Sequence, residues 1–208
     1  FSCSWCDSAF TWDGSAKDEI RMMTAEEIFA ELQRLGEGRF SHVTISGGNP
    51  ALLSALDELI DLLHQHDMRV GIETQGSRWQ DWFYKIDDLT ISPKPPSSGM
   101  NTDFEILDPI IERLIEAGRQ GHFSLKIVVF DDRDFDYAKE LYSRYPDVPF
   151  YLQVGNDQYK AQESAGLLQH LLRRYEWLIE KVTHTDQMNR ARVLPQLHTF
   201  VWGNKRGV

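Results

Sequence analysis

The sequence predicts an α/β fold, a partial, open β/α barrel with mainly parallel strands. Helical and strand patterns alternate from Met23 onward, and about six strands are visible. Units of this size imply parallel strands, because neighbouring parallel strands need a long crossover that is usually a helix. Several strands also end in glycine, proline and polar residues, as is typical where a binding site follows a strand. We expect a single domain spanning residues 1–208.

The first elements are indicated by capping and periodicity. Thr24 and Glu27 form the pattern of a helix-capping box, and apolar residues follow at helical spacing. A strand rich in β-branched residues is predicted at 42–46, and it ends in two glycines. The next segment, 51–66, has leucine and isoleucine on one helical face and is predicted to be an amphipathic helix.

The later elements are bounded by turn residues. Pro93 stops one strand, Gly118 is a predicted helix C-cap, and Pro146 ends a helix. The predicted strands are 68–74, 89–92, 123–130 and 150–154; the predicted helices are 108–117, 134–145 and 163–181; a final extended segment covers 192–202.

Four of the predicted strands end in unusual residues. In parallel α/β folds the binding groups lie at the carboxyl ends of the strands. We therefore expect the active site among the segments Ser46-Gly47-Gly48-Asn49-Pro50, Glu73-Thr74-Gln75-Gly76, Ser92-Pro93-Lys94 and Gln153-Val154-Gly155-Asn156.

Composition excludes several classes of protein. The net charge of −10 disfavours a nucleic-acid partner, because binding to phosphates needs a basic surface. The apolar runs, such as 127–130, are too short to span a bilayer, and no charged leader followed by an apolar segment is visible. We expect a cytoplasmic protein with a small-molecule substrate and neither a membrane nor a nucleic acid as partner.

Cys3 and Cys6 are the two cysteines of the sequence, and they form a CxxC. This spacing occurs in zinc sites, thiol–disulfide enzymes and iron–sulfur proteins. The residues after Cys6 read as a loop, whereas a thioredoxin-like site normally continues as a helix. A structural zinc site needs four ligands, and the sequence has no second CxxC. The residues alone favour a cluster and leave the other two readings open.

The CxxC, with Trp5 between its cysteines, resembles the end of the Cys-x3-Cys-x-aromatic-Cys motif of the radical S-adenosylmethionine (SAM) superfamily. The resemblance implies a [4Fe–4S] cluster bound by three cysteines, with S-adenosylmethionine on the fourth iron. It places the first cysteine two positions before Phe1, so we expect the domain to lack its N-terminal strand and first cluster cysteine. Ser46-Gly47-Gly48-Asn49-Pro50 resembles the Gly-Gly-Glu-Pro turn of the superfamily, with Asn49 in place of glutamate.

The loop Cys6-Asp7-Ser8-Ala9-Phe10-Thr11-Trp12 closely resembles that of the 7-carboxy-7-deazaguanine synthase family of the queuosine pathway. The resemblance implies conversion of 6-carboxy-5,6,7,8-tetrahydropterin to 7-carboxy-7-deazaguanine with loss of ammonia. By this likeness Cys3 and Cys6 bind the cluster, Ser8 binds Mg²⁺, and Ser46 and His198 contact the substrate. The expected S-adenosylmethionine contacts are Gly48, Asn49, Ser92, Pro93, Lys94 and Gln153.

The resemblance also implies partners. We expect a homodimer that receives electrons from a flavodoxin-like or other donor. Two alternatives stay open: a radical SAM activase that makes a glycyl radical on a partner protein, and a non-catalytic structural protein with zinc bound by Cys3, Cys6 and distant ligands.

Overall fold

A computed structural model describes residues 3–6, 8–159 and 166–205. Its six strands follow one another in sequence order in a parallel sheet that does not close. The strands are β1 (His42–Ile45), β2 (Arg69–Thr74), β3 (Asp88–Ile91), β4 (Phe123–Val129), β5 (Phe150–Val154) and β6 (Arg192–Leu194). The expected open α/β architecture is confirmed.

Six helices accompany these strands in the described part of the chain. They are α1 (Ala25–Gly36), α2 (Leu56–Gln65), α3 (Phe104–Glu116), α4 (Asp132–Arg144), α5 (Leu167–Thr183) and α6 (Leu197–Trp202). The predicted capping box at the start of α1 is present: Glu27 N donates to Thr24 Oγ1 at 3.2 Å, and Thr24 N donates to the Glu27 carboxylate at 2.8 Å. Over the same ranges, no helix is long and apolar enough to cross a bilayer.

The structure divides the chain into two compact units. Among the described residues, unit 1 contains 8–93 and 102–124, and unit 2 contains 3–6, 94–101, 125–159 and 166–205.

Unit 1 is built on β1, β2 and β3. Ile45 pairs with Ile72 in the parallel register, and Thr74 pairs with Ile91. Helix α2 packs on β2 and buries its apolar face there. The buried side chains of this unit include Ile60, Leu63, Ile72, Phe83, Leu89, Ile91, Leu107, Ile110 and Leu114. This core holds the carboxyl ends of the three strands in place.

Unit 2 is built on most of β4 together with β5 and β6. Val129 pairs with Val154, and Gln153 with Leu194, both in parallel register. Helix α5 packs against β5 and β6, and α4 packs against the short turn Pro96–Ser98. The buried side chains include Leu125, Ile127, Phe135, Leu141, Leu152, Leu171 and Leu178.

Several predicted boundaries were wrong for identifiable reasons. Helix α3 begins at Phe104 rather than 108, because the Asp103 side chain caps it by accepting from Glu105 N at 3.0 Å. The final segment, expected to be extended over 192–202, is a strand only to Leu194. Pro195 has no N–H for a longer ladder, and the chain then turns into α6.

Two further predicted helices differ in their described bounds. The segment 51–66 opens with the 3-10 turn Pro50–Leu52, and its α-helix starts at Leu56. The helix expected at 163–181 is described from Leu167 and runs to Thr183; residues 163–165 lie outside the described residues.

Asp87, at the amino end of β3, makes the stability of unit 1 depend on pH. Its Oδ2 accepts from Val70 N at 2.8 Å and lies 3.0 Å from His64 Nε2. Partial burial raises the pKa of this carboxyl. The hydrogen bonds from Val70 and His64 and the charges of His64 and Arg69 outweigh burial, so the pKa of Asp87 lies below its usual value.

A carboxyl with a lowered folded pKa stabilises the fold above its unfolded pKa, and this contribution is lost as the pH falls through the folded pKa. We therefore expect Asp87→Asn to lower the free energy of unfolding at pH 7. The difference from wild type should shrink below about pH 4. Urea unfolding at pH 7, 5 and 3 measures it, and a difference that stays constant down to pH 3 would contradict the assignment.

Candidate active site

Cys3 and Cys6 lie on one tight turn of unit 2. Cys6 N donates to Cys3 O at 3.3 Å, a bond between residues three apart that brings their α-carbons close together. Both cysteines are reduced; Cys3 is 7% exposed and Cys6 is half-buried. In the ranges that the structure describes, no three His, Cys, Asp or Glu side chains are grouped to hold a metal ion. The zinc alternative therefore finds no further ligands there.

The turn is fixed to the segment 94–101 by hydrogen bonds from Ser4. Ser4 N donates to Ser98 O at 3.0 Å, and Ser4 Oγ donates to Ser97 O at 2.8 Å. On the other side, the Tyr159 hydroxyl donates to Ser4 O at 2.7 Å. The backbone between the cysteines is thus held from two directions.

Trp5, between the two cysteines, contacts three other residues of unit 2. Its Nε1 donates to Ser97 Oγ at 2.9 Å, and its ring lies 4.6 Å, centroid to centroid, from the ring of Phe130. The Lys94 ammonium lies 6.0 Å from the Trp5 ring centroid, at the limit of a cation–π contact. The structure therefore brings Lys94, an expected cofactor residue, beside the cysteine turn.

Gln153 and His198 occupy the ends of β5 and α6. Gln153 Nε2 donates to Pro195 O at 3.3 Å, which links the end of β5 to the residue after β6. His198 is exposed in the first turn of α6. The cofactor role of Gln153 and the substrate role of His198 stay predictions.

The glycine turn after β1 lies in unit 1. Ser46 is exposed, and Gly47 has φ +123°, a conformation that favours glycine. A Cβ on Gly48 would lie 3.6 Å from Thr11 Oγ1 and 3.9 Å from Trp12 Cδ1, so this turn lies against the loop that follows the cysteines.

Asn49 ties the end of β1 to the end of β2. Its side chain is buried, and Oδ1 accepts from Thr74 Oγ1 at 2.7 Å and from Gln75 N at 3.4 Å. Its Nδ2 donates to Ser77 Oγ at 2.9 Å. Both ends of the amide are thus occupied within unit 1, and a contact from Asn49 to the cofactor stays a prediction.

Ser92 and Pro93 follow β3 and are both buried. Ser92 N donates to Thr74 O at 2.7 Å, which fixes the backbone where the strand ends. Thr74 thus links Ser92 to Asn49, because its carbonyl oxygen accepts from Ser92 N and its hydroxyl donates to Asn49 Oδ1.

Ser8 stands at the start of the 3-10 turn Ala9–Thr11. Its carbonyl oxygen accepts from Thr11 Oγ1 at 2.8 Å and from Thr11 N at 3.0 Å. The Ser8 side chain makes no capping hydrogen bond to this turn, and its magnesium role stays a prediction.

Several residues that hold the surroundings of Trp5 were not predicted from the sequence. Asp134 is buried and accepts from Ser97 N and Phe130 N, and Arg174 donates to Phe130 O and Gly155 O. In the sequence, acidic residues at 131 and 134 are typical of a helix start and indicate no other role. The link to the cysteine turn depends on residues far apart in sequence.

Comparison with known proteins agrees with this geometry. The model of the Radical SAM superfamily matches residues 1–143. The chain is 61% identical over all 208 residues to the curated 7-carboxy-7-deazaguanine synthases of Bacillus cereus (strain ATCC 14579) and Bacillus subtilis (strain 168), and it covers 86% of each. A crystal structure of QueE from Escherichia coli aligns with a TM-score of 0.60 at 21% identity, over 94% of this chain and 80% of that one, which shows a shared fold.

The chain therefore belongs to the radical SAM superfamily. The two Bacillus relatives place it more narrowly: it is a member of the 7-carboxy-7-deazaguanine synthase family. The family expected from the cysteine loop and the glycine turn is confirmed.

Proposed function

We infer that this protein is a radical SAM lyase that converts 6-carboxy-5,6,7,8-tetrahydropterin to 7-carboxy-7-deazaguanine with loss of ammonia, in 7-deazapurine biosynthesis. The observation that carries this function is 61% identity along the whole chain to two curated synthases. The cysteine turn, held in place by Ser4 and Trp5, supplies two of the three thiol donors that such an enzyme needs.

Cys3 and Cys6 are two of the three thiolate ligands of a [4Fe–4S] cluster in this proposal. Thiolates are the protein ligands that iron–sulfur clusters use, and a turn with two thiols three residues apart fits that donor set. The Trp5 and Phe130 rings pack together beside the turn, and an apolar surface next to a bound cluster would influence its reduction potential. When bound, the reduced cluster and S-adenosylmethionine supply the radical chemistry of the reaction.

The proposed cofactor contacts lie where strands end, as binding groups do in this class of fold. Gly48 has no side chain beyond its α-carbon, so its backbone is open to close approach. Lys94 supplies a positive charge that suits the carboxylate of S-adenosylmethionine. The full proposed set is Gly48, Asn49, Ser92, Pro93, Lys94 and Gln153.

The proposed metal and substrate residues are Ser8, Ser46 and His198. A hydroxyl oxygen is a suitable ligand for Mg²⁺, and Ser8 matches the position of the magnesium ligand in the loop that resembles the family. Mg²⁺ commonly keeps substrate and water oxygens among its ligands, so a single serine hydroxyl is compatible with its binding.

The protein is also proposed to act as a homodimer supplied with electrons by a flavodoxin-like or other donor. Exposed apolar side chains on α5 and α6 support pairing with a second copy: Leu168, Leu172, Leu197, Val201 and Trp202.

A direct assay tests the function. The full-length protein, reconstituted anaerobically and reduced with dithionite, is incubated with S-adenosylmethionine and the carboxypterin, and 7-carboxy-7-deazaguanine is measured by mass spectrometry. We expect product only when both small molecules are present. Cleavage of S-adenosylmethionine without the deazapurine product would favour the activase alternative, and a colourless, zinc-loaded protein would favour the structural one.

A further inference from the structure

Asp134, in the first turn of α4, is a carboxylate that the proposed reaction does not use. Its side chain is 0% exposed. Oδ1 accepts from Ser97 N at 2.9 Å, and Oδ2 accepts from Phe130 N at 2.9 Å. A buried carboxylate is costly unless its oxygens are hydrogen-bonded, and here each oxygen is bonded to a different segment of backbone. Asp134 therefore fixes Ser97 and Phe130 relative to each other.

The side chains of Ser97 and Phe130 also contact Trp5. Ser97 Oγ accepts from Trp5 Nε1 at 2.9 Å, and the Phe130 ring packs on the indole at 4.6 Å. One carboxylate thus holds the backbone of two residues that contact Trp5, the aromatic residue between Cys3 and Cys6. Asp134 is therefore connected to Trp5 in two ways, through Ser97 and through Phe130.

Phe130 is restrained on its carbonyl side as well. Arg174 donates from Nη2 to Phe130 O at 2.7 Å and from Nε to Gly155 O at 3.2 Å. With its N–H held by Asp134 and its carbonyl held by Arg174, the backbone of Phe130 has little freedom to move. We therefore expect that loss of the Asp134 hydrogen bond loosens Phe130 and, through its ring contact, Trp5.

We propose that Asp134 is a positioning residue for the cluster: it holds Ser97 and Phe130 so that Trp5 fixes the Cys3–Cys6 turn. The inference rests on the proposed function, in which Cys3 and Cys6 bind iron. In this proposal Asp134 acts on the cysteine turn through Trp5.

The rate at which a chelator removes iron tests this role without measuring turnover. The full-length protein is reconstituted anaerobically, and release of iron to bathophenanthroline is followed by absorbance. Asp134→Ala removes both acceptors, and Asp134→Asn leaves only one. We expect both variants to lose iron about tenfold faster than wild type, because the loop that carries the ligands opens more often. Hydrogen exchange at the Ser97 and Phe130 amides should quicken in parallel.

Asp131→Ala is the matched control. Asp131 Oδ1 accepts from Asp134 N at 3.0 Å as the cap of α4, so its loss weakens the same helix start but keeps the carboxylate of Asp134. Ser97→Ala, which removes only the acceptor for Trp5 Nε1, covers the case in which the Asp134 variants do not fold. It should quicken iron loss severalfold.

Two results separate this inference from the function on which it rests. Iron loss in the Asp134 variants no faster than in Asp131→Ala, or iron loss in Ser97→Ala equal to wild type, would overturn the positioning role. Wild-type protein that forms no cluster at all would overturn the proposed function itself.

Discussion

Replacing Cys6 with alanine should eliminate turnover by the full-length protein while the fold persists. Loss of residues that merely support metal ligands typically costs 10–100-fold in affinity or activity, so loss of a ligand should cost more than about 100-fold. Cys6 is half-buried and contributes little to packing, so thermal unfolding should change only slightly. Iron per chain after reconstitution should fall from about four to well below two.

Ser4→Ala, a substitution on the same turn, is the control for Cys6→Ala. It removes the hydrogen bond from Ser4 Oγ to Ser97 O but keeps both thiols. Iron content and turnover should stay near wild type, because one exposed hydrogen bond contributes little. Full iron content and full turnover in Cys6→Ala would exclude Cys6 as a ligand.

Gly155→Ala should destabilise unit 2 and loosen the cysteine turn together. A Cβ on Gly155 would lie 2.4 Å from two atoms of the Phe130 ring, far closer than carbon atoms approach. Arg174 holds the carbonyl oxygens of both residues, so the backbone cannot easily relieve the overlap. Overpacking of this kind costs about 1–3 kcal/mol, and the Phe130 ring would be pushed against or away from Trp5. Each kcal/mol should lower the melting temperature by about 2–4 °C.

The control for Gly155→Ala is the same substitution at Gly121, a glycine with open space beside it. A Cβ on Gly121 meets nothing within 4 Å, so Gly121→Ala should leave stability and iron retention nearly unchanged. The double variant Gly155→Ala/Phe130→Leu makes room for the methyl group. It should recover stability but not the aromatic contact with Trp5, so iron loss to a chelator should stay fast. Equal stability of Gly155→Ala and Gly121→Ala would contradict the argument.

Much of the fold was accessible from local patterns. The capping box at Thr24, the β-branched strand before Gly47 and the periodic helices depend on residues close together in sequence, so their signals survive without a structure. The cysteine loop and the glycine turn pointed to the family for the same reason. Where the prediction was wrong, as at 195–202, one proline changed the outcome and the pattern beyond it was too short to identify a helix.

The arrangement around Trp5 could not be predicted in this way. Ser97 and Asp134 are 37 residues apart, and Trp5 and Ser97 are 92 apart, so their hydrogen bonds follow only from the fold. Asp134 reads in the sequence as an ordinary acidic residue in the first turn of a helix, where the helix dipole favours it. Its complete burial, which gives it a second role, has no counterpart in the local pattern.

The junction that Asn49 makes with Thr74, Gln75 and Ser77 depends on an amide, where the wider superfamily has a glutamate. An amide neither gains nor loses a proton in the biological range, so the Asn49 side chain offers the same donors and acceptor in acid and in alkali. A carboxyl buried at the same place would be neutral or charged according to the medium and would change partners with it. Within the folded protein, the geometry at the ends of β1 and β2 therefore does not depend on the ionisation of residue 49.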